Sequence, residues 1–191
     1  MTNVSRHGRP DTSPVPRAGP GGIRHDPPLP EPFEARFANL EEVKYTGPGT
    51  LFHQCFGCGP NHEIGLRVRT FKAGDGVLSP IIVPQRFQGP RGSAHGGIVA
   101  AYLDEVLAGA AFCHAGRAHV TGELTARYVK PTPLERALLG RARVVRETPR
   151  YLDLEGTLED LETGQVVATA AGRFFPLPDA RCGQPHDASG A

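Results

Sequence analysis

His95-Gly96-Gly97-Ile98-Val99-Ala100-Ala101-Tyr102-Leu103-Asp104 is the stretch that decides how this 191-residue chain is read. Two glycines open an apolar helical run, and an acid stands nine positions after the histidine. On a helical wheel Ile98, Val99, Tyr102, Leu103, Val106, Leu107 and Ala110 form one broad stripe suited to lie against a sheet. Asp104 falls away from it, among Ala100, Ala101, Ala108 and Ala111. A solvent face ordinarily carries Lys, Arg or Glu, so small side chains around one acid predict close approach by another backbone or a ligand. Glu105 reads as an ordinary solvated position.

A glycine inside a helix costs about 0.5–1 kcal/mol relative to alanine, so a pair at the start of the main helix calls for a reason. The N–H groups of a first turn lack intrahelical partners, and the helix dipole favours negative charge there. Gly96 and Gly97 are therefore candidate donors to a developing oxyanion. His95 is either a positioning residue or a member of the site. At 1.5 Å of rise per residue, Asp104 lies roughly 13 Å along the axis from His95, too far to share one reacting carbonyl. If both are catalytic, the acid must meet the glycines of a second chain, as when two such helices lie antiparallel about a two-fold axis.

The rest of the pattern is mostly strand. Residues 64–71 alternate, and Gly74-Asp75-Gly76 separates them from Val77 to Val83, which predicts a hairpin. Residues 84–94, with Pro84, Gly89, Pro90 and Gly92, form a loop feeding the helix. Beyond the helix, β-like segments cover about 118–130, 137–147, 151–160 and 165–175, divided by Pro131-Thr132-Pro133, Thr148-Pro149 and Glu162-Thr163-Gly164. One long helix must cover a sheet of about six strands. The fold class is therefore α+β, with a largely antiparallel sheet wrapped around that helix. Ahead of it, Phe33, Phe37, Leu40 and Val43 have the spacing of a short amphipathic cap, ended by Gly47-Pro48-Gly49.

The 19 prolines and 24 glycines exceed ordinary usage and gather at the ends. Eight prolines and few apolar side chains in residues 1–32 predict a disordered tail, because such a segment buries too little to offset its ordering entropy. Residues 178–191 read as a second tail, leaving 33–50 as capping helix and turn and 51–177 as one folded domain. A net charge of +1 without a basic run argues against nucleic acid as a partner. No stretch of 18 apolar residues occurs, and Arg6, Arg9, Asp11 and Arg17 break up the first residues. The expectation is a soluble cytoplasmic protein without a membrane partner.

Cys55, Cys58, Cys113 and Cys182 do not suggest a disulfide framework in such a chain. Cys55-Phe56-Gly57-Cys58 has the spacing of half a zinc site, but no second Cys/His pair follows at a matching interval. His53 and His62 are near enough in sequence to complete four ligands. The expectation taken here is a turn before the first strand, with no metal. There is no Gly-x-Ser-x-Gly elbow either.

From about Leu51 to Leu177 the chain resembles the hotdog-fold acyl-CoA thioesterases of the PaaI-like type. The resemblance rests on Cys55-Phe56-Gly57-Cys58-Gly59-Pro60 followed by Gly65-Leu66, on Phe87-Gln88-Gly89-Pro90-Arg91-Gly92-Ser93-Ala94-His95-Gly96-Gly97, on Asp104, and on Tyr128-Val129-Lys130-Pro131-Thr132-Pro133-Leu134. It implies a homodimer, often paired again into a homotetramer, that hydrolyses acyl-CoA without metal or organic cofactor. It also implies that the Gly96 N–H polarises the thioester carbonyl. Asp104 of the opposite subunit would act as general base or nucleophile, and Thr121, 17 residues on, would orient water or remain an ordinary strand residue. Gln88 stands near where relatives often carry Asn, and His62 where the first motif commonly has Asn. Arg91 and Lys130 could meet the phosphates of coenzyme A or be solvated charges. The alternative on the same fold is a non-catalytic acyl-CoA-binding or regulatory module, with a hotdog dehydratase behind it, since fold does not fix function.

Overall fold

A computed structural model of the chain describes residues 28–44 and 52–177. Residues 1–27 of the predicted tail 1–32, the predicted tail 178–191 and the Gly47-Pro48-Gly49 turn lie outside the described residues; the end of the first tail is described, and Glu31 and Pro32 are helical there rather than part of a tail. The elements run α1 Glu31–Phe37, β1 Phe71–Ala73, β2 Gly76–Ile82, α2 Gly96–Ala115, β3 His119–Tyr128, β4 Ala137–Glu147, β5 Leu152–Asp160 and β6 Val166–Pro176. The strands form one six-stranded sheet in the order β1-β2-β4-β5-β6-β3, every neighbouring pair antiparallel. The predicted long helix followed by four strands is thus observed, and the hairpin before it is kept with a first strand of only Phe71–Ala73. Gly74 turns the first hairpin at φ +59°, a left-handed conformation that glycine adopts without a Cβ penalty.

α2 lies across the sheet, touching β2 through β6. His95 caps its start, and Gly116, at φ +65°, closes its end by donating its N–H to the Phe112 carbonyl. Val99, Tyr102, Leu103, Val106, Leu107 and Ala110 are buried, as the wheel predicts. Two strand glycines let the helix approach closely. A Cβ on Gly140 of β4 would stand 2.8 Å from Val106 Cγ2, and one on Gly156 of β5 would stand 3.2 Å from Leu107 Cδ2. The wheel is wrong about Ala111. The sheet curls far enough around the second half of α2 to bury Gly109, Ala110 and Ala111 alike, so Ala111 belongs to the core and not to the face of Asp104.

β2 and β4 are covered on both faces. Val77 paired with Ala142, and Ile81 paired with Leu138, face α2; Leu78 and Leu139 face a second cluster with Phe33, Phe37 and Phe71. That cluster is the seat of α1. The predicted cap therefore exists, but its helix spans Glu31–Phe37, with Pro32 in its first turn, rather than running from Phe33 to Val43. Leu40 and Val43 keep the apolar spacing without the helix. Val43 donates its N–H to the Thr70 carbonyl, and Glu42 bridges Phe71, so this segment extends along β1 instead.

The first predicted strand is mostly absent: of residues 64–71, only Phe71 enters the sheet. Arg67 has φ +54°, which interrupts an extended ladder, and Ile64 is exposed. The backbone bonds of this segment go elsewhere. Leu66 N–H donates to the Phe56 carbonyl and Val68 N–H to the Gly57 carbonyl, so the alternation holds the cysteine loop in place.

Candidate active site

β3 is an edge strand beside α2, and its register with β6 shifts between Thr121 and Glu123, leaving Gly122 as a bulge. Thr121, at this irregularity, donates its hydroxyl to Asp104 Oδ1 at 2.7 Å. Burial pushes the Asp104 carboxyl above its ordinary range, and the Thr121 hydrogen bond partly offsets that rise. The pair opens on a cavity of about 210 Å³, also lined by Cys55, Cys58, Glu105 and His119. Burial holds the His119 imidazole below its usual pKa.

The helix start is built differently. His95 Nδ1 accepts the Gly97 N–H at 3.1 Å, so the imidazole caps α2 and occupies that donor. A Cβ on Gly97 would lie 3.2 Å from the same nitrogen, which ties this glycine to the cap. Gly96 is another matter. Its carbonyl accepts the Tyr128 hydroxyl at 2.9 Å, and among the described residues its N–H has no hydrogen-bond partner. A Cβ there would meet only the Tyr128 ring, at an ordinary 3.6 Å. Nothing among the described residues therefore requires glycine at position 96.

The loop before the helix is fastened by His95 N–H donating to the Phe87 carbonyl at 2.8 Å and by an isolated bridge between Gln88 and Ala94. Gln88 Oε1 accepts from Gln85 Nε2 at 2.8 Å and from the Gly92 N–H at 3.4 Å. Arg91 is exposed on the same loop. Lys130, just past β3, donates to Gln165 Oε1 at 2.7 Å. Asp104 and Thr121 thus meet directly, whereas Gln88, Arg91, His95, Gly96 and Gly97 gather at the helix start. Eight residues of helix, roughly 12 Å, separate Gly96 from Asp104.

Three residues escaped the sequence reading. Tyr128 orients the first peptide of α2, and His119 lines the cavity. Glu105, read as solvated, turns inward against the cysteine loop, with Cys55 Sγ 3.8 Å from its Oε1. The ligand atoms of Cys55, Cys58 and Glu105 all lie within 4.8 Å of one another. The Cys58 thiol donates to the Cys55 sulfur, which brings Cys55 down to about 5 and pushes Cys58 up. Burial, reinforced by charge on Cys55, pushes Glu105 up to about 8. His53 and His62 do not complete the cysteine pair. His62 stands edge-on to Phe56 at 5.5 Å, and its Nδ1 accepts the Ile64 N–H. The signal for Glu105 was out of reach, because 50 residues separate it from Cys55.

A six-stranded antiparallel sheet wrapped around one long helix, with an acid on the helix and a hydroxyl facing it, defines a hotdog-fold protein. Residues 91–167 match the model of the thioesterase superfamily. Solved structures agree. A protein described as a thioesterase superfamily member is 30% identical, with a TM-score of 0.58 over 64% of this chain; the match spans 60% of that neighbour's length. The phenylacetic acid degradation-related protein of Ralstonia eutropha JMP134 is 25% identical at a TM-score of 0.53, covering 58% of this chain and 85% of that one. The E. coli PaaI protein, at 18% identity and a TM-score of 0.52 over 58% of this chain and 83% of its own, shares the fold. No curated protein matches the sequence.

Proposed function

We propose that the protein is a PaaI-like thioesterase that hydrolyses acyl-CoA to free acid and coenzyme A at two equivalent sites, each shared between two copies of the chain. The observation that carries this reading is the Thr121–Asp104 hydrogen bond, which fixes one oxygen of a carboxylate that lines the cavity. A thioester is an activated acyl group, so a positioned base and an oxyanion donor suffice. Asp104 takes a proton from water as the water oxygen adds to the thioester carbonyl. The Gly96 N–H of the second copy receives the developing oxyanion. Collapse of the tetrahedral adduct breaks the carbon–sulfur bond. The leaving thiolate takes up the proton and Asp104 is regenerated.

The second copy is supported by β3. Among the described residues its outer edge is unpaired, and Val120 and Tyr128 are exposed on it, with Val129 exposed just past its end. A long uncovered edge is a template for another strand, and pairing two such edges about a two-fold axis satisfies both. Glycine at position 96, which packing among the described residues does not demand, is explained if a substrate oxygen approaches there. Arg91 and Lys130 supply charge for the phosphates of coenzyme A, and Gln88 an amide beside the helix start.

The test is hydrolysis of short, medium, long and aromatic acyl-CoA, followed by released thiol. At least one class is turned over, and Asp104→Asn lowers that turnover by at least about 100-fold with the assembly intact. Undiminished hydrolysis in the variant removes Asp104 from the chemistry. Binding without turnover by the wild type leaves a non-catalytic module instead.

A further inference from the structure

Cys55, Cys58 and Glu105 form a cluster that hydrolysis does not need. The Cys55-Phe56-Gly57-Cys58-Gly59 loop folds tightly on its first cysteine: Gly59 N–H donates to the Cys55 carbonyl at 2.9 Å, and a Cβ on Gly59 would fall 2.5 Å from Cys55 backbone atoms. The thiolate is the form of cysteine that ligates metals, and both sulfurs of this loop lie beside the Glu105 carboxylate. Gly57 is flush with α2, since a Cβ there would collide with the Glu105 carboxyl group. The loop is thus moulded around that carboxylate, and among the described residues no Lys or Arg pairs with Glu105.

We propose that Cys55, Cys58 and Glu105 bind one zinc-class divalent ion, which clips the loop to α2 one residue from Asp104. Two sulfurs, one carboxylate oxygen and mutual separations within 4.8 Å suit a small tetrahedral ion of borderline softness, and the mixed donor set argues against calcium or magnesium. Three protein ligands leave the fourth position to a small ligand from the cavity they line. Binding replaces the ligand protons, which pass to solvent. The ion would satisfy an inward-facing carboxylate that has no cationic partner among the described residues, and fix the wall of the cavity beside the Thr121–Asp104 pair. The site is independent of whether the protein hydrolyses thioesters.

The full chain, purified under reducing conditions from zinc-supplemented cells, is assayed for metal, then stripped and titrated with Co2+. The expected result is about one zinc per chain and a near-ultraviolet thiolate-to-cobalt charge-transfer band that saturates at about one equivalent. Cys58→Ser weakens the band and the affinity; Glu105→Gln keeps a thiolate band but weakens Co2+ binding at least about tenfold. Circular dichroism verifies that each variant is folded. A fully reduced wild-type protein with neither metal nor a cobalt–thiolate band overturns the proposal without recourse to any variant. Unchanged binding in a folded Cys58→Ser protein overturns it as well.

Discussion

Thr121 on β3 holds Asp104 on α2 by a 2.7 Å hydrogen bond, joining strand and helix across 17 residues of sequence. Two opposing influences on one carboxyl meet there. Burial raises its pKa and the Thr121 hydroxyl lowers it, with burial the larger.

The sign of a pH effect follows. Hydrolysis needs the Asp104 carboxylate, so kcat/KM falls as pH drops through its raised pKa. Thr121→Val removes the influence that lowers that pKa, and the acid limb of the kcat/KM profile is expected to move to higher pH. Thr121→Ser should restore the wild-type limb. A valine variant with reduced activity but an unmoved limb would show that Thr121 does not set the ionisation of Asp104.

Position 96 separates fold from chemistry. Proline is well accepted at the first position of a helix, and the preceding His95, at φ −66° and ψ 134°, already has the extended conformation that a following proline demands. Gly96→Pro should therefore fold with stability within about 1 kcal/mol of wild type by chemical unfolding. Because it deletes the proposed oxyanion N–H, turnover should fall by about 100- to 1,000-fold. Retained activity in the folded variant would dismiss Gly96 as the donor.

The close approach of α2 to β4 makes a prediction about stability alone. Gly140→Ala would place a methyl 2.8 Å from Cγ2 of Val106, a buried and rotationally stiff side chain. The cost expected from denaturant unfolding is about 1–3 kcal/mol. Adding Val106→Ala should cost less than the two single changes summed, since the second removes the group the first strikes. Strict additivity would place the strain elsewhere.

The fold was legible wherever apolar periodicity had a single cause. The stripe from Ile98 to Ala110 and the segments behind β3 to β6 each pack on one core, and their positions agree to within a few residues. Residues 64–70 misled because their alternation serves the cysteine loop and not a ladder. Leu40 and Val43 misled in the same way, their helical spacing being met by an extended chain beside Phe71. In the candidate site, Asp104 and Thr121 are both legible in the sequence, and the structure adds their direct contact. Glu105 was unreadable, because one step around a helix separates a solvated acid from one turned into a loop 50 residues upstream. The glycine pair resolved into two roles, Gly97 serving the His95 cap while the Gly96 N–H remains unpartnered among the described residues.

Subunit complementation tests the shared site most directly. Asp104→Asn and Gly96→Pro proteins, each nearly inactive, are mixed and reassembled, and acyl-CoA hydrolysis is measured against wild type. If Asp104 of one chain works with Gly96 of the other, about half of randomly paired dimers are mixed and each holds one complete site, so about one quarter of wild-type activity should return. Mixed dimers no more active than the two variants apart would contradict a site shared between subunits.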